Sequence, residues 1–89
     1  APVKYGLHSI YPNPFNSTTT ISVGFDQSVH STITVFDING RKVESIFEGI
    51  AEIGYHNYSW RGDQLPSGIY LVRLESMNRV RMAKVALMK

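Results

Sequence analysis

The chain has 89 residues, 43% of them apolar, with nine basic against seven acidic side chains and no cysteine. This length suits one small core burying about 60% of the unfolded chain's surface and leaves no room for a second. Disulfides and thiolate metal sites are excluded, and no apolar run approaches the roughly 20 residues that a membrane-spanning helix needs.

The chain opens Ala1-Pro2, without methionine and without the basic-then-apolar order of a signal peptide. That predicts a piece of a longer or processed protein, with any export signal upstream. Residues 1–9 read as a linker tail and residues 10–89 as a single domain. The run Tyr11-Pro12-Asn13-Pro14-Phe15-Asn16 follows. Its two prolines fix φ, remove two backbone donors and push Tyr11 and Asn13 towards extended conformations, so the run forms a stiff peg that excludes helix and central ladder. Asn16 and Ser17 can bond back to nearby backbone and release the chain into a strand. The peg is expected to close one end of the fold.

Helical periodicity is missing throughout. Ile21, Val23 and Phe25 alternate with Ser22 and Gly24, the period of a strand with one buried face. Asp26-Gln27-Ser28 makes a polar turn. The β-branched and aromatic stretch from Thr32 to Ile38 ends at Asp37-Ile38-Asn39-Gly40, where Asn39-Gly40 is a strong hairpin signal and Gly40 supplies the positive φ. Arg41 to Phe47 returns, with Val43 and one of Ile46 or Phe47 in the core. Residues 48–54 read as either a loop or a weak strand.

From Tyr55, alternation places His56, Tyr58 and Trp60 on one face, and Trp60 makes that face the inner one. Pro66-Ser67-Gly68 turns the chain into the nearly continuous apolar stretch Ile69 to Leu74, expected of a central strand. Asn78 marks a last turn before a strand from Val80 to Met88, where Met82-Ala83 and Val85-Ala86 break the alternation and suggest a bulge. About seven short strands at 8–12-residue spacing predict an all-β, immunoglobulin-like antiparallel β-sandwich. The cysteine pair of antibody domains is absent.

No reactive constellation emerges. His8, His30 and His56 lack partners at metal-ligand spacing, and Asp37-x-Asn39-Gly40 lacks the remaining acidic positions of a calcium loop. There is no Gly-x-Ser-x-Gly elbow, cysteine nucleophile or phosphate-binding glycine loop, so the chain reads as no enzyme and without cofactors. Aromatic and basic residues do not interleave, which argues against nucleic acid. Arg61-Gly62-Asp63 reads as turn chemistry, and the acceptor patterns at Asn16 and Asn57 are assigned no role. Arg79, Arg81, Lys84 and Lys89 make the last eleven positions basic, with no acid among them. Such charges suit either an anionic partner or a guarded edge strand.

Four ordered segments resemble one known family: Tyr11-Pro12-Asn13-Pro14-Phe15-Asn16, Val35-Phe36-Asp37-Ile38-Asn39-Gly40-Arg41-Lys42-Val43, Gly54-Tyr55-His56-Asn57-Tyr58-Ser59-Trp60 and Ser67-Gly68-Ile69-Tyr70-Leu71-Val72-Arg73-Leu74. Together with the basic tail they look like the C-terminal sorting domain of the type IX secretion system. The chain departs from the family pattern at Ser17, where proline is common, and at Arg61, where an acid is frequent. The resemblance implies a module that ends a larger exported protein of Bacteroidetes-type bacteria. That parent would pass through the periplasm to the cell surface or exterior, by way of an outer-membrane translocon. It further implies removal by a sortase-like protease in many members and attachment of the parent to anionic lipopolysaccharide. A recognition face is expected from Ser67, Gly68, Tyr70, Arg79, Arg81, Lys84 and Lys89, read by strand addition to an exposed edge of a monomer, with a turn at Gly68 and a core contact at Tyr70 as the equal alternative for those two. The competing reading is a non-catalytic immunoglobulin-like spacer or ligand-binding module of a secreted multidomain enzyme.

Overall fold

A computed structural model describes residues 2–89. Seven strands follow in chain order: β1 (Gly6–Tyr11), β2 (Thr18–Phe25), β3 (Val29–Asp37), β4 (Lys42–Ala51), β5 (Gly54–Arg61), β6 (Gly68–Ser76) and β7 (Arg79–Leu87). They form a three-stranded sheet in the order β1-β2-β5 and a four-stranded sheet in the order β4-β3-β6-β7, with all strand pairs antiparallel. The constant-type immunoglobulin arrangement places its fourth strand with the first, second and fifth. Here a tight turn holds β4 to β3, so it stays in the other sheet.

Asp37 makes that turn. Its backbone N–H donates to the Arg41 carbonyl at 2.9 Å and its carbonyl accepts from Gly40 N at 3.0 Å. Its carboxylate accepts the N–H groups of Asn39 and Arg41 at 2.9 and 3.0 Å. Gly40 takes a φ of 83° while Asn39 remains at negative φ, so the reversal is one residue longer than a two-residue Asn-Gly turn. Asp37 is consequently held below the usual carboxylate range, chiefly by the Arg41 N–H.

Period-two burial builds the core. Ile21, Val23 and Phe25 of β2 and Trp60 of β5 face Ile33 and Val35 of β3, Tyr70, Val72 and Leu74 of β6, and Val85 and Leu87 of β7. Each fully buried Val, Leu, Ile or Phe contributes about 1.5–3 kcal/mol relative to exposure. Three buried hydroxyls find partners: Thr19 Oγ1 donates to the Pro12 carbonyl at 2.7 Å, and Ser31 and Ser76 bond each other at 2.7 Å.

Two sequence expectations are corrected, and the choice left open at residues 48–54 is decided as strand through Ala51. Residues 6–9 are not linker but lie in β1, paired with β2, and Tyr5 packs edge-on against Phe25 at 6.5 Å. The sequence hides this strand because β1 is an edge with a bulge between Leu7 and Ser9, which interrupts its alternation. Ala1 lies outside the described residues. Residues 48–51 continue β4, anchored by buried Ala51. The bulge expected in β7 is absent, since Arg79 to Leu87 pair one-to-one with Ser76 to Gly68. Met82 simply points outward, 54% exposed, while Val85 and Leu87 point in.

Candidate functional site

The peg, the loop after β5 and the end of β7 meet at one end of the sandwich. Phe15, 2% exposed, packs against Trp60 with ring centroids 5.1 Å apart, and Trp60 stacks edge-on to Tyr70 at 5.6 Å. Trp60 Nε1 donates to Glu44 Oε1 at 3.1 Å, tying β5 to β4 across the sandwich. Gly62 lies under this cluster, where a methyl group would come within 3.0 Å of Leu87 Cδ2 and 3.2 Å of Phe15 Cζ. Its N–H donates to the Ser17 carbonyl at 2.8 Å, and its carbonyl accepts from Leu65 at 3.0 Å. Arg61 and Asp63 pair with each other at 2.9 Å, an ion pair that keeps Asp63 below the usual carboxylate range.

The peg also covers half of an edge. β7 is the outer strand of its sheet, and Phe15 bridges Leu87 in parallel. Phe15 N donates to the Ala86 carbonyl at 2.9 Å, and Met88 N donates to the Phe15 carbonyl at 2.8 Å. The Asn13 carboxamide completes this pairing by accepting from Ala86 N at 3.0 Å and donating to the Lys84 carbonyl at 3.2 Å. Both X-Pro bonds of the peg, Tyr11-Pro12 and Asn13-Pro14, are cis. Tyr11 stands 77% exposed at the end of β1, while Pro12 and Asn16 lie on the surface.

The seven recognition candidates do not share one place. Ser67, Gly68 and Lys89 meet at the peg end, where Lys89 N donates to Ser67 Oγ at 3.0 Å and Lys89 Nζ to the Asp63 carbonyl at 2.7 Å. Gly68 opens β6 opposite Leu87. Tyr70 is a core residue, 4% exposed, whose hydroxyl donates to the Pro66 carbonyl at 2.6 Å. Burial pushes that phenol's pKa up.

Arg79 and Arg81 stand at the far end of β7. Arg79 grips Asp26 through two hydrogen bonds of 2.7 and 2.9 Å, lowering the Asp26 pKa and raising its own, and its guanidinium lies 3.8 Å from the Tyr5 ring centroid. Arg81 is exposed, 5.2 Å from the same ring, and its Nη1 donates to the Val80 carbonyl at 3.0 Å. Lys84 lies between the two groups, exposed. The sequence gives no sign of Asp26 or Tyr5 as partners of Arg79, for they are 53 and 74 positions away. Asn13 was legible as part of a turn, but its role on the β7 edge was not.

Among the described residues no group of three or more His, Asp or Glu side chains could hold a metal ion. The surface hollows are shallow, one lined by His30, Thr32, Glu75 and Met77 and another lying between the edges of β1 and β7. What the molecule offers is a small sandwich with one strand edge half covered and half open, the form of a recognition module.

Residues 9–88 match the family described as the secretion system C-terminal sorting domain. The chain belongs to this family, and its function is that of a type IX secretion sorting signal. It acts with the type IX machinery on a cargo that is secreted, at the cell surface or extracellular. Comparisons with curated proteins and with solved structures give no match.

Proposed function

We propose that the domain is a non-catalytic address read as a folded unit by an outer-membrane translocon of a Bacteroidetes-type bacterium. The family match across 9–88 carries this reading. The cargo passes through the periplasm, and a sortase-like protease then removes the domain and joins the cargo to anionic lipopolysaccharide. The unit is a monomer that runs from Tyr5, the first residue packed on the core, through Lys89. Its recognition surface lies on the β6–β7 side, where Ser67, Gly68, Arg81, Lys84 and Lys89 are exposed. Tyr70 and Arg79 support that surface from within.

A carbohydrate-binding module would present a flat row of aromatic side chains. Trp60 is fully buried, and the exposed tyrosines Tyr11 and Tyr55 stand at opposite ends of the three-stranded sheet, opposite Thr20 and Gly24. This favours the sorting reading over the accessory-module one. The test fuses residues 5–89 to a periplasmic reporter in a type IX-competent bacterium and in a strain lacking the translocon. Reporter outside the first strain and inside the second is expected. Retention of a folded fusion in both would overturn the assignment.

A further inference from the structure

We propose that the uncovered stretch of β7 from Val80 to Lys84 is the docking edge, and that it takes an acidic, extended segment of a partner protein as an added strand. The inference rests on the sorting reading and specifies its contact. β7 pairs with β6 through alternate residues, and the peg bonds to Lys84, Ala86 and Met88 from the opposite side. Residues of the same parity therefore turn their backbone groups outward, which includes Val80 and Met82. Neither residue has a backbone partner on that side among the described residues, and Lys84 N–H is likewise free of the peg. The stretch from Arg79 to Lys84 is about 17 Å long, room for a strand of about five residues.

Two features identify the occupant. The edge already accepts a parallel neighbour at Phe15, so its upper half shows what pairing along β7 looks like. A crevice of about 150 Å³ continues below that neighbour, between Leu7–Ile10 of β1 and Ala83–Lys84 of β7, with Asn13 at its margin. Charge then selects the chemistry. Arg79 is neutralised by Asp26, whereas neither Arg81 nor Lys84 has a carboxylate within ion-pair distance among the described residues.

Arg81 guards the edge by bonding the Val80 carbonyl, so an incoming strand displaces it and frees it for a carboxylate of the partner. On the outer face Val80 and Met82, 45% and 54% exposed, offer apolar neighbours to alternate side chains of the added strand. A second copy of this chain fits poorly, because antiparallel pairing about Met82 sets Arg81 opposite Ala83 and Lys84 opposite Val80, which gathers four cations and no carboxylate in one short ladder.

Proline distinguishes this reading from others, since at position 82 it removes a donor facing away from β6 and leaves the β6–β7 ladder whole. In the reporter fusion, Met82→Pro is expected to lower export at least tenfold while the purified domain melts cooperatively, and Met82→Thr, which keeps the N–H and loses only part of the apolar contact, to lower it less than threefold. If Met82→Pro does not fold, Arg81→Glu combined with Lys84→Glu serves instead and is expected to cut export to a similar degree. An acetylated hexapeptide alternating glutamate and valine should shift the amide signals of Val80, Met82 and Lys84, and its lysine-valine counterpart should bind at least fivefold more weakly.

Export of folded Met82→Pro at the parental level would overturn the docking edge and leave the sorting function standing. Retention of the unsubstituted fusion would strike the sorting function itself. Self-association of the parent domain that disappears in Met82→Pro would assign the edge to a second copy, which also overturns the proposal.

Discussion

Phe15 and Leu87 lie side by side as a parallel bridge, both buried, although 72 positions separate them in the chain. The peg near the start and the last strand are thus one structural unit. Phe15→Ala removes a buried aromatic from this unit and is expected to destabilise the domain by about 3–5 kcal/mol. Phe15→Leu should cost less than half of that. Urea unfolding followed by tryptophan fluorescence measures both, because Trp60 lies against the Phe15 ring.

Gly62 is the floor of the same cluster. Its missing side chain admits Leu87 and Phe15, both of them buried. Gly62→Ala is expected to cost about 1–3 kcal/mol through overpacking. An unchanged urea midpoint would show that the cluster yields.

Tyr70 separates a packing role from a contact role. Loss of the hydroxyl in Tyr70→Phe removes the bond to Pro66 and should cost about 1 kcal/mol. Export of the reporter fusion should stay at the parental level, since the ring still fills the core beside Trp60. A tenfold fall in export by a stable Tyr70→Phe protein would contradict the burial argument.

Met77 turns the β6–β7 hairpin with a φ of 56°, a left-handed conformation that costs a non-glycine residue about 1–2 kcal/mol. Its side chain is 75% exposed. Met77→Gly should therefore raise the melting temperature, with a gain of about 1 kcal/mol, and Met77→Val should lower it.

The acid limb of stability follows from Asp26, Asp37 and Asp63, all of which titrate below the ordinary carboxylate value of about 3.9. Below that value the unfolded chain binds protons that the folded chain refuses. The contribution of these groups is therefore complete above about pH 5 and declines as pH falls through their folded values. Thermal melts from pH 7 to pH 2.5 should show this decline, and Asp26→Asn should make it shallower. An identical slope in Asp26→Asn would mean that the Arg79 pair adds nothing to stability.

Local chemistry made much of this protein legible in the sequence. Alternation along Ile21-Ser22-Val23-Gly24-Phe25 and around Trp60 follows from the geometry of a strand with one dry face. The turn at Asp37 to Gly40 follows from a carboxylate beside free N–H groups and a residue that tolerates positive φ. The four ordered segments pointed to the sorting family, and the match over residues 9–88 agrees.

The tertiary structure decided what pairs across long separations. β1 escaped notice because an edge strand with a bulge buries too little to impose a pattern, and its place became visible only against β2. Tyr70 stood open between a recognition contact and a core contact until Trp60 and Pro66 enclosed it, whereas Arg79 became a support once Asp26 arrived from a turn 53 residues earlier. The open half of β7 was likewise beyond the sequence, since it depends on where Asn13 and Phe15 end their cover. Short-range preferences belong to neighbouring atoms along the chain, and edges and partners belong to the closed fold that brings distant residues together.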